Sequence, residues 1–157
     1  MNAEPLLALV TRVLALRRLD VVLIGNAAAA IQGSPVTTMD FDFMFRKTPG
    51  NLAKLKRIAD DLHAVVMRPF YPASQLYRLT RDGDGLQLDF MVKIDGIRSF
   101  EAMRSRASLV PFGEHRLLVA SLADIIRSKE SAGRLQDIAV LPILRRTLHE
   151  KENAQDS

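Results

Sequence analysis

The chain has no cysteine. A disulfide framework and a thiolate zinc site are therefore excluded, and a reducing, cytoplasmic setting fits. It also lacks an uninterrupted apolar run of membrane-spanning length. The most apolar stretch, MNAEPLLALVTRVLALRRLD, has Glu4 where a leader would be basic, Arg12 inside the run, and Arg17 and Arg18 after it. That arrangement argues against both a secretory signal and a membrane span. No block of like charge is present either. The 22 basic and 18 acidic residues leave a net charge of +4, a mild bias toward polyanions such as nucleic acid or nucleotides.

Several short catalytic signatures are missing as well. GNAAAAIQG is not G-x-G-x-x-G, and no Walker A lysine follows it. His63, His115 and His149 are scattered and give no H-E-x-x-H pair, and there is no nucleophile elbow. RDGDG supplies Asp82 and Asp84 but not the remaining acidic ligands or closing Glu of a calcium loop, so it reads as a hairpin turn.

What is present suits one ordinary globular domain of 157 residues, expected over residues 1–150 with a polar, frayed tail over 151–157. Leu6, Leu9, Val10, Val13 and Leu16 give one apolar face of a first helix. DVVLIG reads as a buried strand running into Gly25. NAAAAIQG follows as a short helix, with Asn26 as N-cap and Gly33 as its stop. SPVTT is a turn, and MDFDFMF a strand with Phe41, Phe43 and Phe45 on one side and Asp40, Asp42 and Met44 on the other. In TPGNLAKLKRIADDLHAVV, the residues Leu52, Leu55, Ile58, Ala59, Leu62 and Val66 recur at helical spacing. QLYRLTRDGDGLQLDFMVKIDG gives two strands joined by DGDG. SFEAMRSRA is a short helix, SLVPFGEHRLLV one or two strands, and the C-terminal third helices, with a kink or restart at Pro142. The expected fold class is α+β, α/β-like: a small mixed sheet with antiparallel pairs, flanked by helices.

Two aspartates two apart in a strand share a face, with Cα atoms about 6.6 Å apart. Asp40 and Asp42 can thus converge on one hard divalent cation or straddle two, and without a cation they repel. In LQLDFMVKI, Leu86, Leu88, Phe90 and Val92 form the apolar face, leaving Asp89 on the other. If that strand lies beside the first, Asp89 joins the cluster. Immediately upstream, VVLIGNAAAAIQG is strand, glycine turn and helix start, where free N–H groups meet anions. Gly25 permits close backbone approach and the Asn26 amide can donate. An anion-binding turn next to a carboxylate strand is what a nucleoside triphosphate with Mg²⁺ requires.

Gly25-Asn26, thirteen intervening residues and Asp40-Phe41-Asp42 together resemble the glycine-rich turn and D-x-D strand of the polymerase β-type nucleotidyltransferase superfamily. GSPVTTMDFDF is similar to the form found in small stand-alone bacterial members, the minimal and AbiEii/MenT-type enzymes of toxin–antitoxin systems. VASLADIIRSKESAGRLQDIAVLPIL resembles their C-terminal segment. The resemblance spans about Val21 to Leu148. It implies metal binding and catalysis by Asp40, Asp42 and Asp89, with Mg²⁺ or Mn²⁺ as cofactor and an NTP as substrate. It further implies nucleotide contacts from Gly25, Asn26 and Lys129, with Asp137 supporting the site. The second turn position is typically Ser or Gly, whereas here it is the bulkier Asn26. The implied acceptor is an RNA end, tRNA in particular, or a protein hydroxyl such as an antitoxin's. Lys129 and Arg134 also read as solvated charges, and Arg134 and Asp137, at i and i+3, as a simple pair. Two other readings of the whole stand beside the enzyme: a catalytically inactive nucleotidyltransferase-fold binding or regulatory module, and an RNA-binding protein without chemistry.

Overall fold

The computed structural model describes residues 4–36, 40–67 and 75–155. It is an α+β fold with a mixed seven-stranded sheet. In chain order the elements are α1 (Glu4–Leu16), β1 (Val21–Ile24), α2 (Gly25–Ile31), β2 (Asp40–Phe45), α3 (Pro49–Asp61), β3 (Val65–Met67) and β4 (Leu76–Arg81). β5 (Leu86–Met91), α4 (Phe100–Arg106), β6 (Ser108–Phe112), β7 (His115–Val119), α5 (Leu122–Ala132) and α6 (Leu135–Gln155) complete it. The sheet order is β3-β4-β5-β2-β1-β7-β6. Pairing is antiparallel except at β1–β7 and β2–β5.

The phenylalanine stripe of β2 forms the centre of the core. Phe41, Phe43 and Phe45 are fully buried beside Leu88 and Phe90 of β5 and Leu79 of β4. Phe43 stacks on Phe90 with ring centroids 5.1 Å apart, and Phe45 meets Phe90 and Tyr77 edge-on at 5.9 and 6.0 Å. Both geometries suit the ring quadrupole. β1 is buried throughout because it lies between β2 and β7.

The β4–β5 hairpin forms as its DGDG spacing indicates. Arg81 forks onto Asp84, whose Oδ1 also accepts from the Leu86 amide. Thr48, Ser99 and Ser121 cap α3, α4 and α5 by accepting the amide three residues on.

The structure corrects several details. Asn26 is not an N-cap: Ile24 holds that position with no side-chain bond, and Asn26 lies inside the first turn of α2. α3 ends at Asp61, so Val66 belongs to the edge strand β3 and is exposed, not part of a helical face. The face that α1 buries is centred on Leu7, Val10, Val13 and Leu14, and Leu16 is two-thirds exposed. The tail is helical through Gln155, since Glu, Lys, Ala and Gln are good helix formers and Lys151 Nζ donates to Gln32 Oε1 at 3.1 Å. α6 also runs on through Pro142 without a restart. Residues 37–38 of the expected turn and 156–157 of the tail lie outside the described residues.

Gly96 was not singled out by sequence, yet it packs the β5–α4 connection onto α5. A Cβ there would sit 2.7 Å from the Arg127 carbonyl oxygen and 2.9 Å from the Ser131 Cβ, and φ is +75°. Backbone contact and left-handed φ both oppose a side chain. Gly96→Ala is expected to destabilise the fold by about 2 kcal/mol or more. Chemical denaturation will read this as a lower midpoint, whereas Gly83→Ala, with open space around it, should leave the midpoint nearly unchanged.

Candidate active site

β5 does lie beside β2, in parallel, and the register sets Asp42 opposite Asp89. β4 sets Arg78 opposite Asp89 from the other side, and β1 sets Ile24 opposite Asp42. One row therefore crosses four strands: Arg78, Asp89, Asp42, Ile24. The next row on the same face is Thr80, Gln87 and Asp40. The two-residue period that buries the phenylalanines thus delivers the carboxylates to the opposite face.

Asp89 is almost buried and fully engaged. Arg78 donates to it through Nε at 2.8 Å and Nη2 at 3.2 Å, and Gln87 Nε2 donates at 3.3 Å. Such a forked guanidinium–carboxylate pair is among the strong charge-assisted bonds. Arg78 was overlooked by sequence reasoning. Its signal was legible only once the β4–β5 register was known, since Arg78 and Asp89 are equally distant from the hairpin ends.

The glycine turn is pressed against the same row. Gly25 has φ +68°, and a Cβ on it would lie 2.8 Å from Asp42 Oδ2. Any side chain would push the carboxylate away. Asn26 follows, and its Oδ1 is buried without a hydrogen-bond partner. An orphaned buried acceptor carries a desolvation cost of about 1–3 kcal/mol.

The third component is the α5–α6 corner. Gly133, at φ +63°, ends α5 and lets the chain turn at once into α6. Asp137, in the first turn of α6, is buried and accepts from Arg134 Nε at 2.7 Å and from the Arg134 amide at 3.3 Å. Lys129 Nζ lies 3.6 Å from Asp137 Oδ1. The expected i, i+3 pair of Arg134 and Asp137 is thus present, and Lys129 is largely sheltered against it rather than solvated. Burial pulls the Asp137 carboxyl up, but the Arg134 hydrogen bond and the charges of Arg134 and Lys129 outweigh this and hold it below the usual carboxylate range.

These parts act on one another through Asp42. Its carboxyl is pushed from 3.8 up to about 6, chiefly by burial and then by the like charges of Asp89 and Asp40, with Lys129 and Arg78 pulling the other way. Arg134 also feels the Asp42 charge. Gly25, Asp40, Asp42, Asp89, Lys129 and Asp137 therefore share one neighbourhood, together with Arg78 and Arg134.

Among the described residues, no group of three or more His, Cys, Asp or Glu side chains closes around a point that would hold a metal ion. Asp40 and Asp42 could hold a hard divalent cation by donor chemistry, because they are carboxylates two residues apart on one face of β2. Asp89 is turned to Arg78 instead.

No family model and no curated protein matches the chain. Solved structures do. A nucleotidyltransferase described as putative, TM1012 from Thermotoga maritima, superposes with TM-score 0.65 at 18% identity, over 93% of this chain and 92% of that one. ANT(2″)-Ia, solved in complex with adenylyl-2″-tobramycin, gives 0.64 at 16%, over 97% and 92%. The lincosamide antibiotic adenylyltransferase LnuA, lincomycin-bound, gives 0.62 at 12%, over 92% and 96%. The chain has the nucleotidyltransferase fold.

Asp42 also gives a pH test. The folded state binds the Asp42 proton more tightly than the unfolded chain. The resulting stability is complete below pH 3.8 and is lost as pH rises through about 6. With 1.36 kcal/mol per unit, the loss is at most about 3 kcal/mol. Asp42→Asn, which cannot ionise, should match the parent near pH ~4 and exceed it in stability near pH ~8. Urea denaturation at both pH values checks this, and a pH-independent difference contradicts it.

Proposed function

We propose that this protein is a divalent-metal-dependent nucleotidyltransferase that moves a nucleoside monophosphate from an NTP to a hydroxyl acceptor. The carrying observation is the contact of the Gly25 turn with Asp42, in a carboxylate row whose charge reaches Lys129 on the α5–α6 corner. A turn suited to phosphates, paired carboxylates and a sheltered lysine are the parts that a triphosphate and its counter-ion need. The fold of the structural neighbours supports the same reading.

Asp40 and Asp42 would hold Mg²⁺ or Mn²⁺, with Asp89 as a third ligand once it is free of Arg78. When bound, such a cation supplies positive charge to the acceptor oxygen and to the phosphates. Gly25, Asn26 and Lys129 would hold the triphosphate, and Asp137 fixes Lys129 in place. The acceptor oxygen forms a bond to the α-phosphorus as the α–β bridging P–O bond breaks. Pyrophosphate leaves with that electron pair, and the hydroxyl proton goes to Asp89. Positioning and charge neutralisation do most of the work.

The resemblance favours an RNA end, tRNA in particular, or a protein hydroxyl such as an antitoxin's, and with it a cytoplasmic toxin–antitoxin role. The neighbours ANT(2″)-Ia and LnuA add a small-molecule hydroxyl as a further acceptor class. Labelled NTPs offered to a lysate, followed by separation into RNA, protein and small molecules, will show which class takes the label.

Asp42→Ala should lower transfer by at least ~100-fold while circular dichroism stays native. Lys129→Ala should raise the KM for NTP by about 10-fold, the worth of one charge-assisted phosphate contact. Transfer at the parental rate by Asp42→Ala would show the site to be wrong. One observation favours the inactive-module reading: Asp89 is already taken by Arg78. Calorimetry with each NTP, with and without Mg²⁺, decides between them: the enzyme requires metal-dependent binding, and its absence favours the inactive module.

A further inference from the structure

Resting on the metal-site reading above, we propose that Arg78 is a resident counter-ion that a divalent cation must displace from Asp89, so that Arg78 regulates metal loading. The register builds this in. Arg78 and Asp89 are directly opposed on antiparallel β4 and β5, and Asp89 and Asp42 are directly opposed on parallel β5 and β2. The guanidinium therefore occupies one end of the row in which the carboxylates lie.

Three features make it a competitor rather than a surface charge. Its fork uses both Asp89 oxygens, at 2.8 and 3.2 Å, so the atoms that would bind a cation are those already bound. Asp89 is 6% exposed and so depends on its bonds to Arg78 and Gln87 rather than on water. Arg78 also feels the charges of Asp40 and Asp42 besides that of Asp89, and its own side chain is 38% exposed. It can thus leave toward solvent while Asp89 cannot. Gln87, which donates to Asp89 from the Asp40 row, remains to orient the carboxylate after the exchange.

The exchange replaces a monovalent, forked cation by a divalent one at the same oxygens. Arg78 consequently weakens metal binding to the resting protein and holds the Asp89 carboxylate in place until metal arrives. The freed guanidinium then has unpaired donors, which suits a phosphate oxygen.

Mn²⁺ binding to the protein alone, followed by electron paramagnetic resonance, is the test. Arg78→Gln should bind Mn²⁺ roughly 10-fold tighter than the parent, about 1.4 kcal/mol. Arg78→Lys, which keeps the charge, should stay close to the parent. Asp89→Asn added to Arg78→Gln should abolish the gain. The proposal is overturned if Arg78→Gln binds no tighter, or if the gain survives Asp89→Asn, which would make it a general charge effect. Should Arg78→Gln fold poorly with Asp89 unpaired, the Arg78 Nε–H resonance of the parent is followed during Mg²⁺ titration. A shift of that resonance as metal binds supports the exchange, and an unchanged resonance at saturating Mg²⁺ overturns it. Failure of the underlying site is read separately: Asp42→Asn binding Mn²⁺ as the parent does removes the metal site itself.

Discussion

The structure depends on one constraint, the two-residue period of β2 held in fixed register between β1 and β5. Phe41, Phe43 and Phe45 must face the core, so Asp40 and Asp42 must face away from it. A slip by one residue would bury two carboxylates and expose three phenylalanines. Burying each phenylalanine contributes about 1.5–3 kcal/mol and burying an unpaired carboxylate costs several. Both terms oppose the slip. The register that holds the core together is therefore the register that aligns Asp42 with Asp89 and Asp89 with Arg78.

That alignment polarises the site. The sheet side carries Asp40, Asp42 and Asp89 with Arg78 as their nearby cation, and the Asp42 carboxyl is raised there first by burial and then by the like charges of Asp89 and Asp40. The α5–α6 side carries Lys129 and Arg134 around the single buried Asp137. The two sides act on one another: Lys129 lowers the Asp42 carboxyl, and the Asp42 charge raises Arg134.

Much of this was legible in the sequence. Strict alternation in DFDFMF and LQLDFM gave both strands and the faces of their aspartates, and VVLIG before a small-residue run gave the turn. The DGDG hairpin followed from its turn chemistry. Helix boundaries were less accessible: Val66 continues the apolar spacing of α3 but falls after the helix has ended, in a strand defined by long-range pairing. Asn26 has the chemistry of an N-cap, yet the strand runs directly into α2 at Gly25 and leaves no room for one. Arg78 looked like any polar residue in an alternating strand. Its importance lies in Asp89 across the β4–β5 hairpin and in Asp42 beyond it, which the pairing of β5 with the distant β2 brings alongside.

The distances in the site are set by backbone approach more than by charge. Exposed ion pairs tolerate displacement and contribute little, and they could not fix three segments to fractions of an ångström. Glycines do so at two positions. Gly25 lets the end of β1 rest on the Asp42 carboxylate, and Gly96 lets the β5–α4 connection rest on the α5 backbone at Arg127. The first contact ties the turn to the sheet. The second ties the sheet's far connection to the helix that carries Lys129. Because both contacts are to atoms that a Cβ would overlap, neither segment can drift inward or accept a bulkier residue without moving the other. The frame around the carboxylate row is thus set by backbone contacts rather than by the row's own ion pairs.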